Sequence, residues 1–352
     1  PALAVAAELE NRGWDILYLG SKHRMEAEIV PEEGYAFKAL SLRSLPRKIS
    51  LKIIPSIYYN SISFLRALKI IYEFKADVII GTGGFVAGPV VLAGAVLKKK
   101  TIIHEQNAYP GITNKLLARV VDKVCLNFSK AADYLKISKN KIELTGNPVR
   151  PEILNADRNL SYQQLNLDKN KKTILITGGS LGAEIINQNT AKIYQYALKN
   201  NIQIIHLTGK KNYDSVKMML KKNDIQIDND LIKIFSYLDR MEYAHAAADL
   251  IISRAGATAL AEITSRAIPS ILIPFAAAAE KHQFFNANTL AENGAAVVIR
   301  EKELDQQTLL KNFKLLINNK NKLNAMSEAA AEMSQKKSLN NIIEVIESLT
   351  RI

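Results

Sequence analysis

The 352-residue chain is about twice as long as a typical single domain, so two domains of ordinary size are expected. Hydrophobic residues make up 48% of the chain and charged residues 23%, which excludes an intrinsically disordered protein. A single cysteine, Cys125, excludes an internal disulfide, and its apolar surroundings predict a buried core residue. The formal net charge of +13 indicates an anionic partner, such as a phosphorylated substrate, a nucleic acid or a membrane surface.

Short apolar runs alternate with helical patterns along most of the chain, which is typical of parallel sheets covered by helices. The predicted strands are 15–19, 78–80, 101–104, 123–127, 173–176, 202–207, 232–235, 250–252, 270–273 and 296–299. The segment from Pro148 to Lys172 interrupts this pattern, because it is polar and contains two prolines. We therefore predict two α/β domains joined by a linker.

Two predicted strands end in glycine clusters that lead into helices. The first cluster contains Gly83 and Gly84, and the second contains Gly178, Gly179 and Ser180. Glycine allows a ligand to approach the backbone closely, and the start of the next helix offers free N–H groups to an anion. One such cluster in each domain predicts a nucleotide-phosphate site, although turns of this kind also serve only to pack a strand against a helix.

The uncharged run 78–97, which includes the first cluster, is about as long as a membrane span. Its five glycines and one proline instead favour a buried strand, a tight turn and a helix.

A third motif, SRAGATALAEI, follows the predicted strand 250–252. Gly256 and Thr258 are placed to open a helix, and Glu262 lies four residues after Thr258 on the same helical face. A carboxylate in this position is suited to accept hydrogen bonds from both hydroxyls of a ribose. The alternative is a solvated glutamate on the helix surface.

Polar side chains follow two further strands. His104, Glu105 and Asn107 belong to the run HEQN, whose groups suit hydrogen bonding to a substrate; the alternative is a buried polar network that fixes the loop. The run EKHQ contains His282 and Gln283, whose imidazole and amide groups are suited to the hydroxyls of a sugar.

The stretch from Gly34 to Tyr72 contains neither aspartate nor glutamate. Its central basic and apolar residues are Arg47, Lys48, Lys52, Ile53, Ile54 and Ile57. This composition is typical of a surface that lies on an anionic membrane. The alternative is an ordinary amphipathic helix with solvated lysines.

Six motifs occur in the order of the signature blocks of one family. They are GTGGFVAGPV, HEQNAYPGITNKLLA, TGNPVR, ITGGSLGA, SRAGATALAEI and IPFAAAAEKHQFFNA. Over nearly its whole length the chain resembles the MurG-type peptidoglycan glycosyltransferases, bacterial enzymes of the GT-B fold. The resemblance implies an α/β protein with two Rossmann-like domains whose parallel sheets face a cleft. The implied parts are an acceptor and membrane-docking domain at 1–150, a linker at 151–172, a UDP-sugar domain at 173–335, and a helix at 336–352 that packs back on the first domain.

The resemblance also implies an activity. The family transfers N-acetylglucosamine from UDP-N-acetylglucosamine to the 4-hydroxyl of the muramyl sugar of undecaprenyl-diphospho-muramoyl-pentapeptide. Transfer proceeds with inversion and requires no metal ion or cofactor. A member is expected to act as a peripheral protein on the cytoplasmic face of the bacterial cell membrane, in cell-wall synthesis, and to bind no nucleic acid.

The residues that the resemblance assigns to the donor are spread over both predicted domains. They are Asn107, Arg150, Ser180, Tyr237, Leu238, Gly256, Ala257, Thr258, Ala259, Glu262, His282 and Gln283. Ser180 and the 256–259 backbone are expected at the diphosphate, Glu262 at the ribose, and the 237–238 pair on the uracil. His104 and Glu105 are candidates for assisting the proton transfer.

Two departures from the family pattern stand out. The family begins with a strand and a glycine-rich loop, GGTGGH, before the segment that reads PALAVA here, and its histidine is another candidate base. We expect that the sequence is a fragment of a longer product. The run from Ala276 to Ala279 replaces polar side chains that are expected in a sugar-binding loop.

Three other functions fit parts of the pattern. Another GT-B glycosyltransferase with a diacylglycerol or polyprenyl acceptor would share the nucleotide half of the site, and so would a UDP-N-acetylglucosamine epimerase. A nucleic-acid-binding protein would explain the positive charge, but aromatic residues make up only 7% of the chain and no recognition motif accompanies the basic residues.

Overall fold

The computed structural model describes residues 1–43, 53–227 and 229–350. The chain divides into two compact units. Unit 1 contains residues 1–148 and 337–352, and unit 2 contains residues 149–336.

Unit 1 is built on parallel strands. Its elements up to residue 144 are α1 (Ala2–Asn11), β1 (Leu17–Ser21), α2 (Glu26–Glu32), β2 (Ala36–Leu40), α3 (Ile53–Phe74), β3 (Val78–Gly81), α4 (Gly84–Val96), β4 (Lys100–Glu105), α5 (Ile112–Leu117), β5 (Lys123–Leu126) and β6 (Ile142–Leu144). Strands β1 and β2 pair with each other, and the other four form a sheet in the order β3-β4-β5-β6. Helices α3 and α4 pack against each other, and Ala67, Ile71 and Val91 are buried with Ile103 of the sheet.

The uncharged run 78–97 forms β3, a turn and α4, as predicted. Gly83 precedes α4 with a φ of +94°, a conformation that a residue with a Cβ rarely adopts. Within the described ranges, no helix has the length and apolar character that a membrane crossing requires.

Unit 2 contains one six-stranded parallel sheet. Its elements are α6 (Pro151–Asn155), α7 (Arg158–Gln164), β7 (Thr173–Thr177), α8 (Glu184–Gln188), α9 (Ala191–Lys199), β8 (Gln203–Leu207), α10 (Tyr213–Lys222), β9 (Ile232–Phe235), α11 (Met241–Ala247), β10 (Leu250–Ser253), α12 (Ala257–Ser265), β11 (Ser270–Leu272), α13 (His282–Glu292), β12 (Ala296–Val298), α14 (Gln306–Ile317) and α15 (Lys320–Glu332). The strand order is β12-β11-β10-β7-β8-β9, so the order reverses between β10 and β7. This is the order of a doubly wound dinucleotide-binding fold.

The α/β class with two parallel-sheet domains is confirmed, and each of the ten predicted strands is present with shifts of one or two residues at the ends. Strands β2 and β6 were not predicted. The first reads AFKAL and interrupts its apolar residues with a lysine, and the second is only three residues long. The residues assigned to a linker, 151–172, form α6 and α7 and belong to unit 2.

The last helix of the chain, α16 (Ser338–Thr350), belongs to unit 1. Its apolar face, which includes Ile343 and Ile346, is buried together with Val5 and Leu9 of α1. Cys125 lies in the same cluster with no exposed surface, and burial raises the pKa of its thiol to about 12. The thiol is therefore a core group, as predicted, and not a nucleophile.

Candidate functional site

The reversal of strand order in unit 2 places two loops side by side. Strands β7 and β10 are paired in parallel, so the loop after Thr177 and the loop after Ser253 lie at the same edge of the sheet. Ligands of doubly wound sheets bind at the carboxyl ends of the two strands where the order reverses. Both loops carry motifs that the sequence singles out for phosphate binding.

The loop after β7 is packed too closely for any residue but glycine at two positions. A Cβ on Gly178 would overlap the amide nitrogen of Ala183. Gly182 has a φ of +74°, and a Cβ there would overlap the carbonyl oxygen of Thr208, which follows β8. Ser180 lies exposed at the tip of this loop. On one side, the backbone at 178–182 packs against residues 183 and 208. Its other side is open to a ligand.

A buried polar network fixes the Thr208 carbonyl, against which this loop packs. Asn187 donates a hydrogen bond from Nδ2 to the Thr208 carbonyl (3.0 Å), and Asn212 donates another (3.1 Å). His206 of β8 donates from Nε2 to Oδ1 of Asn187 (3.0 Å) and accepts the Tyr194 hydroxyl on Nδ1 (2.8 Å). Burial lowers the pKa of His206 to about 3, so the ring stays neutral and both bonds persist at neutral pH.

The second loop opens helix α12. Gly256 is the residue before the helix, and no side chain caps the first turn. The amides of Ala257, Thr258 and Ala259 thus stand at the positive end of the helix dipole, where an anion such as a diphosphate is stabilised. Thr258 is exposed on this turn.

Glu262 lies one turn further along α12, and its side chain is only 12% exposed. Its nearest charged partner is Arg150, whose Nη2 lies 3.5 Å from Oε1 of the glutamate. Burial raises the pKa of the Glu262 carboxyl, and the charge of Arg150 opposes that rise. The alternative of a solvated surface glutamate is therefore wrong. Arg150 and Glu262, which are 112 positions apart in the sequence, are brought together within unit 2.

The remaining predicted donor residues of unit 2 lie on loops that follow strands. Tyr237 and Leu238 follow β9, and the Tyr237 ring is 49% exposed with the ammonium of Lys210 at 5.5 Å from its centroid. His282 and Gln283 begin α13. Gln283 accepts a hydrogen bond on Oε1 from the backbone N–H of Phe275 (2.9 Å), in the loop after β11.

The HEQN run of unit 1 forms a buried polar network. The Glu105 carboxylate accepts four hydrogen bonds: two from Asn107, through its backbone N–H and Nδ2, one from the Gly111 N–H and one from Asn114 Nδ2. These bonds fix the loop that leads to α5. Both oxygens of Glu105 are engaged, and its side chain is buried.

His104 is part of the same network. Its Nε2 donates to the Gly146 carbonyl (2.8 Å), and its Nδ1 accepts from Gln106 Nε2 (3.1 Å). Burial lowers the pKa of His104 to about 4, so the ring is neutral and both nitrogens are occupied. This geometry favours the buried-network alternative over a direct role in proton transfer for either residue.

The glycine turn of unit 1 lies beside this network. The carbonyl of Thr82 accepts a hydrogen bond from Gln106 Nε2 (2.8 Å), and a Cβ on Gly83 would contact Gln106 Oε1 at 3.4 Å. Gly84 also has a positive φ, of +75°. A hydrogen bond thus joins the turn and the HEQN loop at the carboxyl ends of β3 and β4.

The predicted membrane residues Arg47, Lys48 and Lys52 lie outside the described residues, as do the side chains of Ile53, Ile54 and Ile57, whose backbone begins α3. The described part of α3 exposes Tyr58, Leu65 and Tyr72, each seven residues after the last, which places them on one helical face.

Helix α5 also exposes large apolar side chains. Ile112 and Leu116 are each 60% exposed, with Lys115 between them. Sequence reasoning did not single out this pair, although its spacing of four residues in a predicted helix was the available signal.

Comparisons with known proteins point to the same family for both units. Residues 1–126 match the glycosyltransferase family 28 N-terminal domain, and residues 173–344 match the glycosyltransferase family 28 C-terminal domain. The chain is 45% identical to the UDP-N-acetylglucosamine--N-acetylmuramyl-(pentapeptide) pyrophosphoryl-undecaprenol N-acetylglucosamine transferase of Halothermothrix orenii, over 100% of this chain and 95% of that protein. It is 41% identical to the protein of the same name from Desulforamulus reducens, over 99% of this chain and 95% of that one.

The fold comparison gives the same result. A crystal structure of Acinetobacter baumannii MurG is similar with a TM-score of 0.78 and 27% sequence identity, over 99% of this chain and 95% of that one. The GT-B fold predicted from the six motifs is thereby confirmed. The chain belongs to the MurG-type transferases of glycosyltransferase family 28.

Proposed function

We propose that the protein transfers N-acetylglucosamine from UDP-N-acetylglucosamine to the 4-hydroxyl of the muramyl sugar of an undecaprenyl-diphospho-muramoyl-pentapeptide, with inversion. The observation that carries the proposal is the arrangement at the strand-order reversal of unit 2. There, free helix amides, a glycine loop and a buried carboxylate match a diphosphate and a ribose. The names of the relatives at 45% and 41% identity support the choice of sugar and acceptor.

The proposed chemistry at the donor is the departure of UDP. As the acceptor oxygen bonds to the anomeric carbon, the bond from that carbon to the diphosphate oxygen breaks and negative charge grows on the diphosphate. The N–H groups at the start of α12 are oriented before the reaction, so they stabilise this charge without reorganisation. The proton of the acceptor hydroxyl passes to a base.

We infer that His104 and Glu105 are positioning residues in this reaction. Three hydrogen bonds to the Glu105 carboxylate come from the loop that carries Asn107, two of them from Asn107 itself, and a fourth comes from Asn114 of α5. Asn107 is one of the residues that the family resemblance assigns to the donor, and the network fixes the plane of its carboxamide. His104 joins this loop to the Gly146 carbonyl.

We also propose that unit 1 docks on an anionic membrane surface, at the cytoplasmic face of the cell membrane. Tyr58, Leu65 and Tyr72 of α3 give one apolar stripe, and the exposed Arg66 and Lys69 lie on the same helix. The combination of exposed apolar side chains with basic ones is typical of interfacial binding. The acid-free stretch 34–72 supplies further positive charge.

The transfer reaction is tested with radiolabelled UDP-N-acetylglucosamine and a lipid-linked muramyl-pentapeptide analogue. The assay is run on this chain and on a version preceded by the GGTGGH loop. We expect label to enter the lipid product in at least the extended version. Donor binding without transfer in either version would contradict the proposed acceptor and favour another glycosyltransferase. Conversion of the donor without any acceptor would favour an epimerase.

Replacing Glu262 by glutamine is expected to weaken UDP binding by about 10- to 100-fold, because the ribose hydroxyls lose a charged acceptor. In the wild type, UDP affinity should fall as the pH is lowered through the raised pKa of Glu262, since the protonated carboxyl accepts fewer hydrogen bonds. The variant should lose this pH dependence. Isothermal titration calorimetry across the acidic range measures both effects.

Glu328→Gln is the matched control for Glu262→Gln, because Glu328 is exposed on α15. It should bind UDP like the wild type. An unchanged UDP affinity in Glu262→Gln would remove Glu262 from the ribose site.

Reversing three charges in the acid-free stretch, with Arg47→Glu, Lys48→Glu and Lys52→Glu, should weaken co-sedimentation with phosphatidylglycerol vesicles. The loss should be greatest at low salt, where surface charges are least screened. Reversal of three lysines of α10, Lys217, Lys221 and Lys222, changes the net charge equally and should leave sedimentation nearer to that of the wild type. Equal losses in the two triple variants would show that only net charge matters.

A further inference from the structure

The loop between β11 and α13 contains a run of small side chains. Its residues 276–279 are all alanine, where polar side chains are expected in a sugar-binding loop. The next two residues, Glu280 and Lys281, both have positive φ values, of 51° and 55°, which cost conformational energy in residues with a Cβ. Contacts from other elements hold the start of this loop, in addition to its own backbone hydrogen bonds.

Two charged side chains from distant parts of unit 2 supply such contacts. Arg254, which directly follows β10, donates from Nη1 to the carbonyl oxygen of Ile273 (3.1 Å) and is ion-paired with Oε1 of Glu301 (2.5 Å). Glu301, which follows β12, accepts the backbone N–H of Ala276 on Oε2 (3.1 Å). The Arg254 guanidinium also lies 5.2 Å from the centroid of the Phe275 ring. The pair thus binds the start of the loop at two backbone groups and one ring.

The pair is well shielded from water. The side chains of Arg254 and Glu301 are 12% and 17% exposed, so their attraction is screened less than that of a surface pair. Each charge is satisfied by the other and by a backbone group at the start of the loop, the Ile273 carbonyl or the Ala276 N–H. Loss of either partner would leave the other charge largely buried without its opposite charge.

Gln283 completes this arrangement from the far end of the loop. Its Oε1 accepts the Phe275 N–H, the residue next to the one that Glu301 binds. A backbone N–H must face an acceptor, so the amide orientation is fixed and the carboxamide offers N–H donors to a ligand. The position of Gln283 therefore depends on the position of the loop start.

We propose that the Arg254–Glu301 pair is a positioning device for the donor sugar: it holds the 274–281 loop so that His282 and Gln283 meet the sugar hydroxyls. This inference rests on the proposed function. Because Arg254 is engaged by Glu301 and Ile273, it acts through the loop and not as a diphosphate ligand. The pair should therefore affect binding of the sugar but not of the nucleotide.

The test compares the Kd of UDP with that of UDP-N-acetylglucosamine by calorimetry. Glu301→Gln should weaken UDP-N-acetylglucosamine about tenfold, the effect of losing one charged contact, and change UDP by less than about twofold. Arg254→Lys should act in the same direction, because an ammonium group lacks the planar guanidinium that lies over the Phe275 ring. Glu301→Asp, which keeps the charge, should recover part of the affinity for the sugar nucleotide.

Glu303→Gln is the matched control, because Glu303 is exposed two residues away and is paired only loosely with Lys302, at 3.8 Å. Its ratio of the two Kd values should equal that of the wild type. If Glu301→Gln fails to give a cooperative thermal transition, Arg254→Lys decides the question.

Three results would contradict the proposals. A parallel loss of both ligands in the variants would overturn the positioning role and assign Arg254 to the diphosphate or to unit stability. Unchanged ratios would overturn it as well. A wild-type protein that binds UDP but not UDP-N-acetylglucosamine would instead contradict the proposed function itself.

Discussion

The parallel pairing of β7 with β10 is the constraint on which the candidate donor site depends. These strands are consecutive in the sheet but are separated by more than 70 residues in the chain, since Ile174 pairs with Leu250. The chain runs outward in opposite directions from this pair, toward β9 on one side and toward β12 on the other. The loops that leave β7 and β10 consequently diverge and leave backbone N–H groups facing a common space. Gly178 and Gly182 let the first loop pack closely on Ala183 and Thr208, whereas a Cβ on Gly256 would meet open space.

Buried charges around this space are paired before any ligand is present. Glu262 is held by Arg150, and Glu301 is held by Arg254. An unpaired charge in such places would be costly, so each arginine compensates and orients its carboxylate. The two pairs differ in their partners. In the proposed donor site the half-exposed Arg150 is displaced from Glu262 by the ribose, whereas Arg254 is anchored to backbone at a second point.

The sequence was sufficient to predict elements whose signal is local. Apolar runs marked ten strands, and glycines at 83 and 178 marked turns that require positive φ or close approach. The sequence did not show whether polar side chains at strand ends point toward a ligand or into the interior of the protein. HEQN is equally compatible with a ligand site and a buried network, and only the Gly146 carbonyl and Asn114, from other parts of unit 1, settle where His104 and Glu105 point. The Arg254–Glu301 pair was not predicted from the sequence either, because 47 positions separate its members and no local pattern connects them.

A crystal structure of the protein with UDP-N-acetylglucosamine bound tests the account of the donor site most directly. The account predicts the diphosphate on the amides of residues 257–259, the ribose hydroxyls on the Glu262 carboxylate with Arg150 displaced from it, and the sugar beside Gln283 with the Arg254–Glu301 pair intact. A diphosphate bound away from the start of α12, or a ribose that does not contact Glu262, would contradict it.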